Sequence, residues 1–450
     1  MNKKLLYYIL ALSLVASCKR EEDHVFDKSP DDRLNETLKT YQTAMTSSQY
    51  GWNGNLHTAD GTLYRFYFSF NDSNRVQMLG DFDSTSGSLL AESSYRLKAL
   101  QQPSLIFDTY SYLHQLSDPD GSVNGGPDGV GLKADFEFAI DSVSADSISL
   151  TGRFNGSRLT MKKATQADRA IWTSKQVGNG VVNFKNYWKF LSYWKRLNYR
   201  NVDYELQFDS SVKKVTVSWG TGNQAQSATR EYYFWANGVY FLDPIVNGSV
   251  SIPGFSITGF TNDVLAANQL MNVTVNGTPS TIKGAAGSNV VPINPDVKNA
   301  VVRWRSQAQS TGNYWISFNG FHKNGVEDAF DINSLRNDSA LFYYLLYSPN
   351  SRGSDGFLNI YLDTASNPPG LIAINGSWAK RISDNAGLTT ITEDSVYSEF
   401  PWPASGPAAD TRNQLFSGTG RYYFVQSSAI SYDMVSKDDP TTWITWWWIW

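Results

Sequence analysis

The sequence predicts a mainly β protein in which antiparallel meanders form sandwich or partial-barrel domains. Fifteen Trp, 25 Tyr and 24 Phe make the chain 14% aromatic, and aromatic side chains favour strands. The 34 glycines include recurring Asn-Gly pairs, which favour tight turns between antiparallel strands. From residue 63 onward, short runs alternate between apolar and polar residues, a period of two that is typical of strands. Short strands with frequent turn signals favour sandwiches or barrels over α/β layers.

The chain begins MNKKLLYYILALSLVASCKREED, which has the organisation of an export signal. Two lysines precede an apolar stretch at 5–15, which is too short to cross a bilayer because a spanning helix needs about 20 residues. Cys18, the only cysteine, follows small residues and resembles the acylated cysteine of bacterial lipoproteins. We expect a signal peptide at 1–17 and lipid such as palmitate on Cys18, with more than one acyl chain for stable anchoring. A signal peptide cut elsewhere, which would leave a free cysteine, is the alternative.

The charged run at 19–23, Lys-Arg-Glu-Glu-Asp, resembles the signal that sends lipoproteins of Bacteroidota to the cell surface. It predicts an outer-membrane protein that faces the cell exterior, with a periplasm-facing anchor as the alternative. Residues 18–29 are expected to be a tether between the lipid and the first domain.

Composition bounds the fold and excludes some partners. With Cys18 lipidated, no thiol is left for a disulfide or a cysteine metal site, so the fold depends on its core. The net charge is −4 and no basic stripe stands out, which argues against nucleic acid as a partner. A chain of 450 residues has room for two or three domains.

The first predicted domain, residues 30–163, is a helix followed by a β-meander. Ser29 suits the helix N-cap, Pro30 the first helical position, and Asp32 the third position after the cap. Alternating strands follow, and Asn155-Gly156 near their end is typical of a two-residue hairpin turn.

The second predicted domain, residues 178–283, repeats the order of helix and then meander. A polar linker or connecting helix at 164–180 precedes it. Phe184, Tyr187 and Trp188 fall on one face at helical spacing, which predicts the leading helix.

The third predicted domain, residues 298–450, is strand-like throughout and follows a linker at 284–297 that contains Gly and Pro. Its Trp-rich end is expected to be a final strand that closes a core.

Four blocks of sequence together resemble one family. They are ESSYRLKALQQPSLIFDTYSYLH at 92–114, SDPDG at 117–121, DFEF at 135–138 and LTGRFNG at 150–156. They resemble the Bacteroidota lipoproteins of domain-of-unknown-function family 4302, most strongly over residues 20–165. The resemblance implies a cell-envelope lipoprotein, often encoded near nutrient-uptake systems that pair an outer-membrane transporter with a surface binding lipoprotein. It implies no reaction and supplies no catalytic residues.

No catalytic residue is predicted. The four histidines include no His-Glu-x-x-His motif, and the chain has no Gly-x-Ser-x-Gly nucleophile elbow. Asp135 and Glu137 are expected on one side of a strand with Phe136 and Phe138 opposite. A solvated outer face explains these two carboxylates better than a glycosidase pair does.

Calcium is the one metal that the sequence suggests. Asp118, Asp120, Ser122 and Asn124 cluster oxygen donors at a spacing that echoes the start of a calcium loop. However, glycine does not fall at the sixth position and no glutamate occupies the twelfth. Asp, Asn, Gly and Pro also make ordinary turns, which is the alternative.

Three tryptophans are candidate ligand-binding residues. Trp188 and Trp194 are interleaved with lysines, and they form either an exposed platform or one buried helix face. Trp402 stands between two prolines in a predicted loop and is expected to be exposed. Flat aromatic rings of this kind can stack on a sugar or hold a peptide.

The leading hypothesis is a non-enzymatic surface lipoprotein that binds a glycan, a peptide or an outer-membrane transporter complex as an accessory to nutrient uptake. A secreted hydrolase with an unrecognised site is one alternative, and a structural or adhesive envelope protein is another. A row of exposed tryptophans would favour binding, whereas convergent carboxylates with shifted pKa values would favour the hydrolase.

Overall fold

The computed structural model describes residues 29–288, 290–311, 314–337, 339–349, 354–416 and 420–448. The predicted signal peptide, Cys18 and the tether up to residue 28 lie outside these ranges. Antiparallel sheets dominate, which confirms the predicted fold class. Within the described ranges, no helix combines the length and apolar character that a membrane span requires.

The first unit is a closed barrel with a helix packed against it. Helix α1 (Pro30–Thr46) follows Ser29, whose Oγ accepts a hydrogen bond from the backbone N of Asp32 at 3.1 Å, so the predicted N-cap is confirmed. Met45 and Trp52 are buried in one core, and the Trp52 indole donates to the Met45 carbonyl at 2.8 Å. The elements are β1 (Trp52–His57), β2 (Leu63–Phe70), β3 (Arg75–Gly80), β4 (Ala91–Ala99), β5 (Pro103–Phe107), α2 (Tyr112–Ser117), α3 (Gly121–Asn124), β6 (Glu137–Val143), β7 (Ser147–Gly152) and β8 (Arg158–Lys163).

The meander closes because β8 pairs with β1, which places Lys163 opposite Trp52. Full closure goes one step beyond the sandwich or partial barrel that the sequence predicted. Alternation along a strand identifies its apolar face, but it does not reveal whether the first and last strands meet.

Asp135 is buried and not on the predicted solvated face. It precedes β6, so it lies outside that strand's alternation. Its carboxylate accepts hydrogen bonds from the backbone N of Phe154 at 2.9 Å, of Asn155 at 2.8 Å and of Ser157 at 3.0 Å, and from Ser157 Oγ at 2.6 Å. The carboxylate therefore organises the connection at 153–157, which is longer than the predicted two-residue turn.

The second unit is also a closed barrel, and two short helices lead into it. Thr165 and Asp168 form a capping box at the start of the first helix. Ala236 and Asn237, both with positive φ, make a two-residue turn of the kind favoured in hairpins. The elements are α4 (Gln166–Thr173), α5 (Gln176–Phe184), β9 (Lys195–Tyr199), β10 (Val202–Asp209), β11 (Lys214–Trp219), β12 (Gln226–Trp235), β13 (Gly238–Asn247), β14 (Val250–Thr261), β15 (Leu270–Val275) and β16 (Thr278–Gly284).

The two barrels contact each other through aromatic rings and a buried ion pair. Trp172 on α4, which leads into the second barrel, lies against Tyr67 of the first barrel with 6.2 Å between ring centroids. Lys213 Nζ of the second barrel lies 2.7 Å from Asp81 Oδ2 of the first, and both side chains are almost fully buried. The guanidinium of Arg65 lies 4.4 Å from the Trp235 ring centroid.

The third unit is a 10-stranded antiparallel sheet that curls back on itself, because β17 pairs with both β20 and β26. The Trp-rich stretch forms β26, whose Ile444 and Trp446 are buried, as predicted for a strand that closes a core. The elements are α6 (Val297–Thr311), β17 (Trp315–Ser317), β18 (Phe321–Lys323), β19 (Arg336–Asn337), β20 (Ala340–Ser348), β21 (Asp355–Asp363), β22 (Gly370–Ser383), β23 (Thr389–Val396), α7 (Pro407–Phe416), β24 (Arg421–Ser428), β25 (Ser431–Ser436) and β26 (Thr442–Trp448).

Helix α6 corrects the expectation of an all-strand third domain. Val301, Trp304 and Ala308 are buried along one side of it, at the spacing of a helix face. The linker before it is held against the second barrel, because Glu205 Oε1 accepts hydrogen bonds at 3.1 Å from the backbone N of both Ile293 and Asn294.

Candidate functional site

A polar cleft lies where the second barrel meets the third unit. Its volume is about 440 Å³, and strands β10, β11, β12 and β24 line it together with the start of α6. That volume falls within the range of small-molecule sites in proteins. Its lining is rich in side-chain amides and hydroxyls and includes both signs of charge. Among these residues are Gln207, Asp209, Lys214, Thr216, Asp296 and Gln426.

Hydrogen bonds between the second and third units hold several side chains that line the cleft. Gln207 Nε2 on β10 donates to the carbonyl of Gln426 on β24 at 2.9 Å, and Asn294 Nδ2 donates to Gln207 Oε1 at 3.2 Å. Arg303 on α6 donates to Gln426 Oε1 at 3.2 Å. These side chains are therefore held in place before any ligand arrives.

A smaller cavity of about 130 Å³ adjoins the cleft and shares Gln207 and Ser427 with it. Its wall is largely aromatic, with Tyr187, Trp188, Tyr193 and Trp194. The remaining lining includes three ionisable side chains from two units, Lys195 and Glu205 of the second barrel and Asp433 of the third.

Lys195 is the first residue of β9, and only 8% of it is exposed. Its Nζ lies 5.2 Å from the Tyr187 ring centroid and 5.6 Å from that of Tyr193. Within the described ranges the ammonium has no hydrogen bond and no ion pair. Burial lowers the pKa of Lys195 to about 8, with the charge of Asp433 acting in the opposite direction.

The two acids of the cavity are held by hydrogen bonds. Asp433 accepts from the Tyr193 hydroxyl and from Thr445 Oγ1, each at 2.7 Å. Glu205 accepts from Arg196 at 3.0 Å in addition to the linker backbone. Burial raises the pKa of both carboxyl groups in spite of these donors. Charge of either sign is therefore costly in this cavity.

The predicted tryptophans have different positions. Trp188 is 50% exposed, whereas Trp194 is buried in the contact between the second and third units. Trp194 also lies beyond the helical segment, which ends with a 3₁₀ turn at Lys185–Lys189, so the expected common helix face is wrong. The structure nevertheless brings both residues to the wall of the same small cavity.

Trp402 is buried, and the expectation that it is exposed is wrong. Its indole donates to Ser377 Oγ at 2.7 Å. The flanking prolines place it in an irregular segment, but that segment packs onto the third core.

The predicted calcium residues lie together in one loop, where their oxygens serve the loop itself. Asp118 Oδ1 accepts from the backbone N of Asp120 at 3.0 Å, and Asp120 Oδ1 accepts from that of Ser122 at 2.9 Å. Asn124 Oδ1 accepts from the backbone N of Gly126 at 2.8 Å. In the described part of the chain, no three His, Cys, Asp or Glu side chains form a metal-binding group. Calcium stays a prediction.

Sequence reasoning placed Lys195 only among the lysines interleaved with Trp188 and Trp194, and it missed Asp433. A lysine beside Tyr193 and Trp194 is ordinarily expected to point to solvent, so its burial had no signal. Asp433 comes from a strand far along the chain, and only the contact between two units brings it to Lys195. The aromatic density around residues 187–194 was the one visible sign of the cavity.

Solved structures give distant matches. The β clamp of Helicobacter pylori bound to a DNA ligase peptide is 7% identical, with 93% of this chain and 98% of that chain covered and a TM-score of 0.12. The DNA polymerase III subunit beta from Pseudomonas aeruginosa is 7% identical over 93% and 98% of the two chains, with a TM-score of 0.14. Such low scores do not establish a common fold. No curated protein matches the sequence significantly.

One family profile matches more than half of the chain. The sequence profile described as domain of unknown function (DUF4302) matches residues 22–259. This range includes helix α1, the first barrel, the connecting helices and the second barrel as far as β14. It contains the aromatic wall, Lys195 and Glu205, whereas Asp433 lies beyond it. Because the match covers more than half of the chain, the protein belongs to the DUF4302 family.

Proposed function

We propose that this protein is a non-enzymatic, cell-surface lipoprotein that binds a glycan in the cleft between its second and third units. The observation that carries the proposal is the pairing of an amide- and hydroxyl-lined cleft with a half-exposed tryptophan at the adjoining cavity. Amides and hydroxyls both donate and accept hydrogen bonds, which suits a ligand with many hydroxyl groups. The apolar face of a sugar ring suits the flat face of Trp188.

Binding is favoured over hydrolysis because the buried acids are already engaged. The Asp433 oxygens accept from Tyr193 and Thr445, and those of Glu205 accept from the linker backbone and Arg196. A general acid must instead be within hydrogen-bond reach of the bond that it protonates. These two carboxyl groups hold the units together.

Replacement of Trp188 by alanine should lower glycan affinity by about tenfold, because the stacking surface is lost. The wild-type protein and the variant are compared on an array that carries maltohexaose, β-1,4-mannohexaose, β-1,4-galactohexaose and a set of peptides. The matched control is Trp447→Ala, since Trp447 is 40% exposed and lines neither the cleft nor the small cavity.

Binding of the wild-type protein to peptides but not to glycans would contradict the proposal. So would equal glycan binding by wild type and Trp188→Ala, since the tryptophan would then have no part in recognition.

The proposed anchor is lipid on Cys18, and its location is the outer face of the outer membrane. The support is the cysteine that follows small residues and precedes the charged run at 19–23. An outer-membrane transporter of an uptake system would then receive the bound glycan.

Cys18→Ala should move the protein from the membrane fraction to the soluble fraction, because the acylated thiol is lost. Fractionation followed by immunoblotting measures this, and surface proteolysis of intact cells tests the orientation of the wild-type protein. Retention of the variant in membranes would contradict lipidation at this residue, and resistance of the wild type to protease would contradict exposure.

A further inference from the structure

We infer that Lys195 determines the specificity of the small cavity by donating hydrogen bonds to an uncharged sugar oxygen, so that the site selects neutral glycans over uronic acids. This inference rests on the proposed function and names the class of glycan. It concerns the cavity of about 130 Å³ that adjoins the cleft.

Lys195 has hydrogen-bonding capacity that the protein leaves unused. Its ammonium carries three donor hydrogens, yet within the described ranges it makes no hydrogen bond, and it lies 5.2 Å and 5.6 Å from the ring centroids of Tyr187 and Tyr193. A buried ammonium without acceptors is costly. A ligand that places an oxygen atom in the cavity removes part of that cost.

The neighbouring acid, Asp433, already has hydrogen-bond donors of its own. Asp433 already accepts hydrogen bonds from Tyr193 and Thr445. The missing partner in this cavity is therefore an acceptor for Lys195, which a sugar hydroxyl or ring oxygen supplies.

The small cavity is a poor environment for a further carboxylate. Asp433 and Glu205 both line the cavity, and burial raises the pKa of each. Burial thus disfavours negative charge even where donors are present, and at Asp433 the charge of Lys195 offsets this only in part. A uronate would add another carboxylate to this cavity and lose its own hydration, whereas a neutral hydroxymethyl group incurs neither cost.

The wall and the size of the small cavity suit a single sugar ring. Tyr187, Tyr193, Trp188 and Trp194 form the aromatic part of the wall. A wall rich in rings suits a partly apolar body with polar atoms at its edge, which describes a pyranose. The cavity therefore suits one sugar residue, while the cleft of about 440 Å³ beside it accommodates the neighbouring residues.

The test is calorimetric titration of the whole mature protein at pH 7. The probes are maltohexaose, β-1,4-mannohexaose and β-1,4-galactohexaose, each paired with the same hexasaccharide oxidised at C6 to uronic acid. We expect each neutral glycan that binds to do so at least about tenfold more tightly than its oxidised partner. This comparison uses the wild-type protein and needs no variant to fold.

A second arm replaces Lys195 by methionine, which keeps an unbranched side chain only one atom shorter and removes the ammonium. Affinity for the neutral glycan should fall by about tenfold, and the ratio of neutral to oxidised affinity should change. The control is Lys189→Met, because Lys189 is exposed and its Nζ bonds Asn186 at 2.9 Å.

Tighter or equal binding of the oxidised glycans would overturn the inference, as would wild-type affinity and selectivity in Lys195→Met. In either case glycan binding itself stands, so the two proposals separate. If the wild-type protein binds no neutral glycan, the proposed function and this inference both fail.

Discussion

Asp81→Ala is expected to lower the free energy of unfolding by about 3–5 kcal/mol, which is typical of removing one partner of a buried ion pair. Asp81 Oδ2 accepts from Lys213 Nζ at 2.7 Å and from the backbone N of Phe234 at 3.1 Å, and Oδ1 accepts from the backbone N of Arg65 at 2.7 Å. The substitution leaves a buried ammonium and two backbone donors without their acceptor. Because these groups belong to two barrels, the loss falls on the contact between them.

Urea unfolding followed by circular dichroism measures this change. The control is Asp394→Ala, which breaks an exposed pair in which Lys380 Nζ lies 2.6 Å from Asp394 Oδ1. Exposed pairs contribute about 0–1 kcal/mol. Loss of less than about 1 kcal/mol for Asp81→Ala would contradict the buried pair between the barrels.

Trp304→Ala is expected to destabilise the third unit by about 3–5 kcal/mol, as truncation of a fully buried aromatic residue does. Trp304 on α6 is 0% exposed. Its ring stacks on Tyr347 with 3.8 Å between centroids, and Phe424 lies 4.5 Å away. These contacts attach the helix to strands β20 and β24, so the cavity left behind cannot collapse easily.

Hydrogen exchange resolves this loss by region, which matters because a chain of several units need not unfold in one step. Amides of β20 and β24 should exchange faster in Trp304→Ala, while those of β1–β8 keep their rates. The control is Trp447→Ala, since Trp447 is partly exposed. Unchanged exchange in β20 and β24 would show that α6 does not stabilise the sheet.

Local signals predicted local structure well. The sequence at Ser29 specified the helix N-cap, because a Ser side chain accepts from a backbone N–H nearby whatever the rest of the chain does. The period of two identified most of the strands. Helix α6 also had its signal, since Val301, Trp304 and Ala308 follow helical spacing, but the surrounding strand patterns obscured it.

Features that depend on distant residues were not predictable in the same way. Closure of the first barrel requires β1 to meet β8, and no local pattern encodes that meeting. Asp135 was expected at the surface because acids ordinarily are, yet the nearby backbone N–H groups compensate its burial. Lys195 and Asp433 come together only when two units pack.

The candidate site was predictable in part. Trp188 and Trp194 were predicted to form either an exposed platform or one buried helix face, and Trp188 lies half-exposed at the small cavity. Trp402 was misplaced because a loop between prolines was equated with exposure. The polar cleft was not predicted, because its lining comes from three separate segments of the chain.

Hydrogen exchange of the wild-type protein with and without a neutral hexasaccharide tests the central claim most directly. The hexasaccharide is the tightest binder among maltohexaose, β-1,4-mannohexaose and β-1,4-galactohexaose. Glycan binding in the cleft predicts slower exchange in β10, β24 and the linker at 290–297, with β1–β8 unchanged. Protection confined to the first barrel, or no protection anywhere at saturating glycan, would contradict it.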